Sequence, residues 1–249
     1  MISLENISKT FNHGQVNEIK ALQNINLQIH KGEYIILIGS NGSGKTTLLN
    51  TISGAEKVTG GKVVIHGTDV TRYPEYKRSK WIARVFQNPY TGTSSDLSIL
   101  DNFRLAALRT QPKKLAIGIN SPFRERVRDM ISKLGMGLEN KIDQLMGNLS
   151  GGQRQALTLL MSVMDEASIL LMDEPTAALD PKSATQILRL ANQIIKEFQL
   201  TAILITHNLR DAQQNGTRLI QFQEGKIQRD IHEEQKSKIL LPDMLEWFE

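Results

Sequence analysis

The stretch Ile35-Ile-Leu-Ile-Gly39-Ser-Asn-Gly-Ser-Gly44-Lys45-Thr46-Thr47 runs from an apolar segment through a glycine-rich loop into a helical pattern. It matches G-x-x-x-x-G-K-[ST], the loop whose backbone N–H groups turn inward around a polyphosphate. The helix that follows adds the partial positive charge of its N-terminus. In such a loop Lys45 reaches the β- and γ-phosphates, and the Thr46 hydroxyl coordinates Mg²⁺. A glycine-rich turn alone would carry the same glycines. The flanks decide for phosphate: residues 34–38 read as a buried strand and 46–52 as a helix.

The wider composition is that of a globular α/β protein. The chain has 249 residues, 40% hydrophobic and 22% charged, enough for one large domain or two modest ones. A net charge of +4 with no long basic tract permits a nucleotide and gives no nucleic-acid footprint. The absence of cysteine excludes disulfides, thiolate zinc sites and cysteine nucleophiles. No basic segment followed by an apolar core opens the sequence, and no apolar run approaches the ~18–20 residues of a membrane span. A role at a membrane would therefore run through a partner.

Patterning changes along the chain. Residues 2–29 alternate apolar and polar, with a polar hairpin loop Asn12-His-Gly-Gln-Val-Asn17 between two antiparallel strands. From Ser98 to about Gly147 the spacing of Leu100, Phe103, Leu105, Leu108, Val127, Ile131 and Leu134 is helical, broken by Pro112, Pro122 and Gly135-Met-Gly137. The charges Arg124, Glu125, Arg126 and Arg128 read as the solvated face of one of these helices. Strands at 168–172 and 201–206 then flank a helix over 181–198 with Pro181 in its first turn, which predicts a parallel sheet covered on both faces. A hairpin about Glu224-Gly225 and a terminal amphipathic helix complete the chain.

Two further features carry chemistry. Ile169-Leu-Leu-Met-Asp173-Glu174-Pro175 ends a buried strand in adjacent carboxylates, which calls for a partner because isolated buried charge is costly. A magnesium ion and a water supply one, with Asp173 holding the metal directly or through water and Glu174 polarising the water that attacks the γ-phosphate. Leu149-Ser-Gly-Gly-Gln153 opens a long helix as a second anion-binding N-terminus. One triphosphate does not need two such sites in one chain, unless another subunit completes the second.

These elements, in this order, resemble the ATP-binding subunit of an ABC transporter over nearly the whole chain. The resemblance implies a P-loop ATPase α/β core with an N-terminal antiparallel β subdomain (about 1–33 and 58–72) and an inserted helical subdomain (about 95–165), all in one domain of 1–249. It also implies a homodimer holding ATP between one copy's phosphate loop and the other's signature, Leu149, Ser150, Gly151, Gly152 and Gln153.

Carried over to this sequence, Gly39, Ser40, Asn41, Gly42, Ser43, Gly44, Lys45, Thr46 and Thr47 wrap the phosphates, and Phe11 stacks on adenine where Tyr is common. Gln87 senses Mg²⁺ and the attacking water, the Asn88-Pro89-Tyr90 that follows leads toward the membrane partner, and His207 bonds the γ-phosphate and holds Glu174. Catalysis then falls to Glu174, His207, Gln87 and Lys45, and the metal to Thr46, Gln87 and Asp173. The chain departs from the family at Ala177, where many relatives carry Ser, and at Ala156 and Met161, where many carry Arg.

Stretches such as Phe86-Gln-Asn-Pro-Tyr-Thr-Gly92 and Leu134-Gly-Met-Gly-Leu-Glu-Asn140 resemble one bacterial importer branch. Its members serve a separate multispanning permease and an extracytoplasmic binding protein, some for aromatic amino acids. The expected place is the cytoplasmic face of the membrane, with no nucleic-acid partner. An exporter or lipid-extracting complex would use the same motifs. A soluble ABC machine on ribosomes or DNA would bring a second nucleotide domain, a coiled coil or zinc-binding cysteines, none of which the sequence contains.

Overall fold

The computed structural model describes residues 1–109, 118–165 and 167–248. Its backbone divides into two compact units, Met1–Arg78 with Leu200–Glu249, and Ser79–Gln199.

The first unit opens on β1 (Ile2–Phe11) and β2 (Ile19–Ile29), paired antiparallel with Ile2 opposite Ile29 and Leu4 opposite Leu27. Ile2 and Leu4, and Ile25, Leu27 and Ile29, are buried at the expected period of two. Ile7 and Leu22 are instead buried across steps of three, where the β1–β2 register shifts and Asn6 and Asn24 take positive φ. Next comes β3 (Tyr34–Gly39), buried at every residue, and α1 (Lys45–Ser53), which ends on Gly54 in the left-handed region. β4 (Gly60–Ile65) returns beside β1, β5 (Thr68–Asp69) adds to it, and the short α2 (Glu75–Arg78) follows. The antiparallel sheet has the order β2-β1-β4-β5.

The second unit begins with β6 (Ile82–Val85), then α3 (Ile99–Ala107) and α4 (Ser121–Ser132). Ser98 and Asp101 form a capping box at the start of α3. Pro122 does not interrupt a helix here. It sits in the first turn of α4, where a missing N–H is harmless. Leu105, counted in the apolar spacing, points out of the helix core and is 55% exposed. Of the other positions Leu100, Phe103, Val127 and Ile131 are buried, Leu108 and Leu134 are half-buried, and Pro112 lies outside the described residues. Glu125, Arg126 and Arg128 are exposed, while Arg124 pairs with Asp143 at 2.6 Å. α5 (Gly151–Ser162), β7 (Ile169–Asp173) and α6 (Pro181–Glu197) complete the unit. β7 lies parallel to β6, with Ile82 beside Ile169 and Val85 beside Met172.

The chain then re-enters the first unit through β8 (Thr201–Ile205) and α7 (Leu209–Gln214). β9 (Arg218–Gln223) and β10 (Lys226–Ile231) form the expected hairpin, turned by Glu224 and Gly225, both at positive φ. β3 is parallel to β8 on one side and to β9 on the other, so the strand that feeds the phosphate loop is central among them. The terminal segment folds as two short helices, α8 (Glu233–Lys236) and α9 (Leu241–Glu246), in place of one amphipathic helix. Pro242 explains the break, because it can stand only in a first turn. Among the described residues no helix is long and apolar enough to cross a membrane.

Candidate functional site

The phosphate loop is shaped by two glycines that no other residue could replace. Gly39 has φ 152, and a Cβ there would lie 2.2 Å from the Phe222 carbonyl oxygen. Gly44 has φ 107, and a Cβ would lie 2.3 Å from the Ala21 carbonyl oxygen. The loop between them wraps tightly because neighbouring backbone occupies the space a side chain would need.

Lys45 is buried, and its Nζ donates to the carbonyls of Gly39 and Ser40, each at 2.9 Å. A buried ammonium held across its own loop is a cation placed for a polyphosphate, whose charged oxygens are stronger acceptors than carbonyls. Ser43 points the same way. Its hydroxyl is buried and has no hydrogen-bond partner among the described residues. A phosphate oxygen would satisfy it.

The far end of the phosphate helix is also prepared. Buried Arg78 donates to the Thr51 and Ile52 carbonyls of α1 at 2.8 and 2.9 Å, placing positive charge at its C-terminus. Desolvation pulls its guanidinium down to about 10, still charged at neutral pH. Phe11 ends β1 half-buried, and the Lys9 ammonium stands 4.5 Å from its ring centroid. His207 follows the buried Thr206 at the end of β8 and is exposed. The phosphate loop, Phe11 and His207 therefore all belong to the first unit.

The second unit holds the other predicted residues. Asp173 ends β7 buried, and Glu174 turns away from the strand with φ 46. A left-handed backbone costs a non-glycine residue of order 1 kcal/mol, so the surroundings hold this carboxylate in a set direction. Gln87 comes within reach of it, its Nε2 lying 3.4 Å from Glu174 Oε2. Ser150 is the exposed N-cap of α5, and its capping box with Gln153 leaves Gly151 and Gly152 in the first turn with no side chain to shield their N–H groups. Leu149 is buried beneath them.

Two residues escaped the sequence reading. Gln155, fully buried, donates its side-chain amide to the Phe86 carbonyl at 3.0 Å, next to Gln87. Arg154, also fully buried, donates to the Met146 carbonyl at 2.8 Å and to Ser95, and lies 4.3 Å from the Tyr90 ring. Their helical spacing shows only a polar pair at the start of α5. The burial that gives them their partners is tertiary. The departures Ala156 and Met161 are both buried, Ala156 completely.

Thr46 in the first unit, and Gln87 and Asp173 in the second, each carry an oxygen donor of the hard kind that Mg²⁺ prefers. The loop, the buried lysine and the unsatisfied Ser43 likewise fit a nucleoside polyphosphate.

Comparison with known proteins decides the family. Residues 22–177 match the ABC transporter family. The chain belongs to the ABC transporter family. It is 36% identical to a tyrosine transport ATP-binding protein of Clostridioides difficile over 100% of this chain and 99% of that one. It is 35% identical to a macrolide export ATP-binding/permease protein of Campylobacter fetus, covering 92% of this chain but 34% of the longer relative. Among solved structures, an ATP-binding cassette determined as a dimer in a post-hydrolysis state with ADP and Pi superposes with a TM-score of 0.80. That cassette is 29% identical, over 94% of this chain and 99% of the other. This member of the ABC family is thus an ATP-binding subunit and an ATPase, with the mixed antiparallel and parallel α/β fold of such cassettes.

Proposed function

We propose that this ABC ATPase powers a bacterial importer of a small solute, an aromatic amino acid being the leading class. The observation that carries the reading is the match to the tyrosine transport ATP-binding protein, which covers 100% of this chain and 99% of that one. In this reading the permease is a separate polypeptide, in keeping with the likeness to an ATP-binding protein matched over nearly its whole length. An extracytoplasmic binding protein delivers the solute, and the ATPase sits on the cytoplasmic face. The macrolide exporter supports export less well, because its matched part is a third of a protein that carries its own permease.

Two copies of the chain work head to tail. The phosphate loop of one and the Ser150–Gln153 helix start of the other close on each ATP, which accounts for two anion-binding N-termini per chain. Lys45 and the loop N–H groups bind the phosphates, Ser43 donates to them, and Phe11 stacks on adenine. Thr46, Gln87 and Asp173 would hold a magnesium ion, which would supply charge neutralisation to the polyphosphate. Glu174 accepts a hydrogen bond from the attacking water and draws on its proton, while Gln87 orients that water and His207 fixes the γ-phosphate. Closing on ATP and opening after hydrolysis move the permease.

The test is reconstitution with the permease and binding protein encoded beside it. ATP turnover that rises when the binding protein carries tyrosine or tryptophan supports import of that class. Turnover indifferent to the binding protein, with solute leaving the cytoplasmic side, establishes export.

A further inference from the structure

The carboxyl-terminal segment is tied to α7, the helix that follows His207, at both of its ends. At the C-terminus of α7, buried Lys236 donates its Nζ to the carbonyls of Gln213 and Gly216, each at 3.0 Å, and to that of Asn215. Gln213 returns a bond from its Nε2 to the Ile239 carbonyl at 3.0 Å. At the other end, Leu245 and Phe248 line a cavity of about 290 Å³ together with Leu209, His207, Thr206 and Ser40. A smaller cavity of about 100 Å³ brings Phe248 and Trp247 beside Ser40 again.

The tail itself is anchored elsewhere. Met244 is fully buried, and the buried Gln221 donates its Nε2 to the Trp247 carbonyl at 2.9 Å. Arg229 lies 5.0 Å from the Trp247 ring. Leu245 and Phe248 are nevertheless 54% and 40% exposed. Side chains that exposed add little to global stability.

We infer that Leu245 and Phe248 are positioning residues for His207, the tail forming a brace that holds the imidazole toward the γ-phosphate. The inference rests on the role proposed above for His207. A tripod of carbonyls on Lys236 fixes one end of α7, and the apolar pair limits the other. The imidazole then meets the phosphate without first losing conformational freedom, which is where such positioning contributes to rate.

Steady-state ATP turnover of the full chain tests this with Phe248→Ser and Leu245→Ser. Either is expected to lower kcat about tenfold with KM for ATP held within about twofold, short of the ~hundredfold that a misplacement of 1 Å can cost. Phe248→Leu and Leu245→Met should keep most of the activity, and melting temperatures should stay near that of the parent chain. The deciding measurement is a double-mutant cycle with His207→Ala. If the brace acts through His207, Phe248→Ser slows the His207→Ala enzyme no further. Losses that multiply, or wild-type kcat in both serine variants, overturn the brace while leaving the nucleotide site intact. Full turnover in His207→Ala alone removes the γ-phosphate role itself, a distinct result that takes the brace with it.

Discussion

The side-chain amide of Gln155 donates to the Phe86 carbonyl at 3.0 Å, binding the first turns of the signature helix α5 to the residue that precedes Gln87. The same helix approaches the segment after Gln87 twice more. A Cβ on Gly151 would touch Pro89 at 3.5 Å, and the Arg154 guanidinium lies 4.3 Å from the Tyr90 ring. A shift of α5 is therefore felt along the whole stretch from Phe86 to Tyr90. Replacing Gln155 by Leu strands a buried carbonyl, which should cost about 1–3 kcal/mol of stability in denaturant titration. It should also lower kcat for ATP several-fold while nucleotide affinity of the monomer is unchanged, because the phosphate loop belongs to the other unit. Unaltered turnover would confine the bond to a structural role.

Glu174 is held at φ 46 with Gln87 3.4 Å away, a carboxylate aimed rather than loosely solvated. Glu174→Gln keeps the shape and removes the acceptor for the water's proton. Steady-state turnover should vanish and an ATP-bound dimer should accumulate, visible by gel filtration with ATP. Turnover at the parent rate would eliminate Glu174 as the base.

Ser150 caps a helix in the unit that does not contain the phosphate loop. Ser150→Arg should block hydrolysis and dimer formation while the isolated chain still binds ATP with its original affinity, measured by calorimetry. A collapse of that affinity would place both anion sites on one nucleotide of one chain and defeat the shared-site arrangement.

Asp180 caps α6, its side chain accepting from the N–H groups of Lys182 and Ser183, each at 3.1 Å. Bonding to Ser183 is the main cause that holds its carboxyl below the usual carboxylate value. The folded form thus favours the ionised acid. Its stabilisation is fully present above the unfolded pKa near 4 and disappears as pH falls through the lower folded value. Asp180→Ala should lower the melting temperature at pH 7, and the gap to the parent chain should close as the pH drops below about 4. A gap independent of pH would mean that the capping bond contributes nothing through charge.

Local chemistry made much of this protein readable from its sequence. The strand, loop and helix about Gly39 and Lys45 follow from apolar patterning and from glycines that alone tolerate φ of 152 and 107. The Glu224-Gly225 hairpin and the cap at Asp180 are likewise decided within a few residues. The terminal helix breaks at Pro242 for a local reason, whereas Leu105 is exposed for a tertiary one. Periodicity reports what a segment could bury, and only its neighbours decide which face is covered.

By itself the sequence determined a nucleoside triphosphate site and a carboxylate strand end, because phosphate-binding loops, caps and strand ends are short-range devices, and the order of its motifs resembled an ABC ATPase. The tertiary structure alone decided that Gln155 and Arg154 would grip the segment around Gln87, and that Leu245 and Phe248 would lie beside His207. Those pairs are separated by tens of residues along the chain. Burial brings them together, and no local pattern encodes which distant carbonyl or ring a buried side chain will meet.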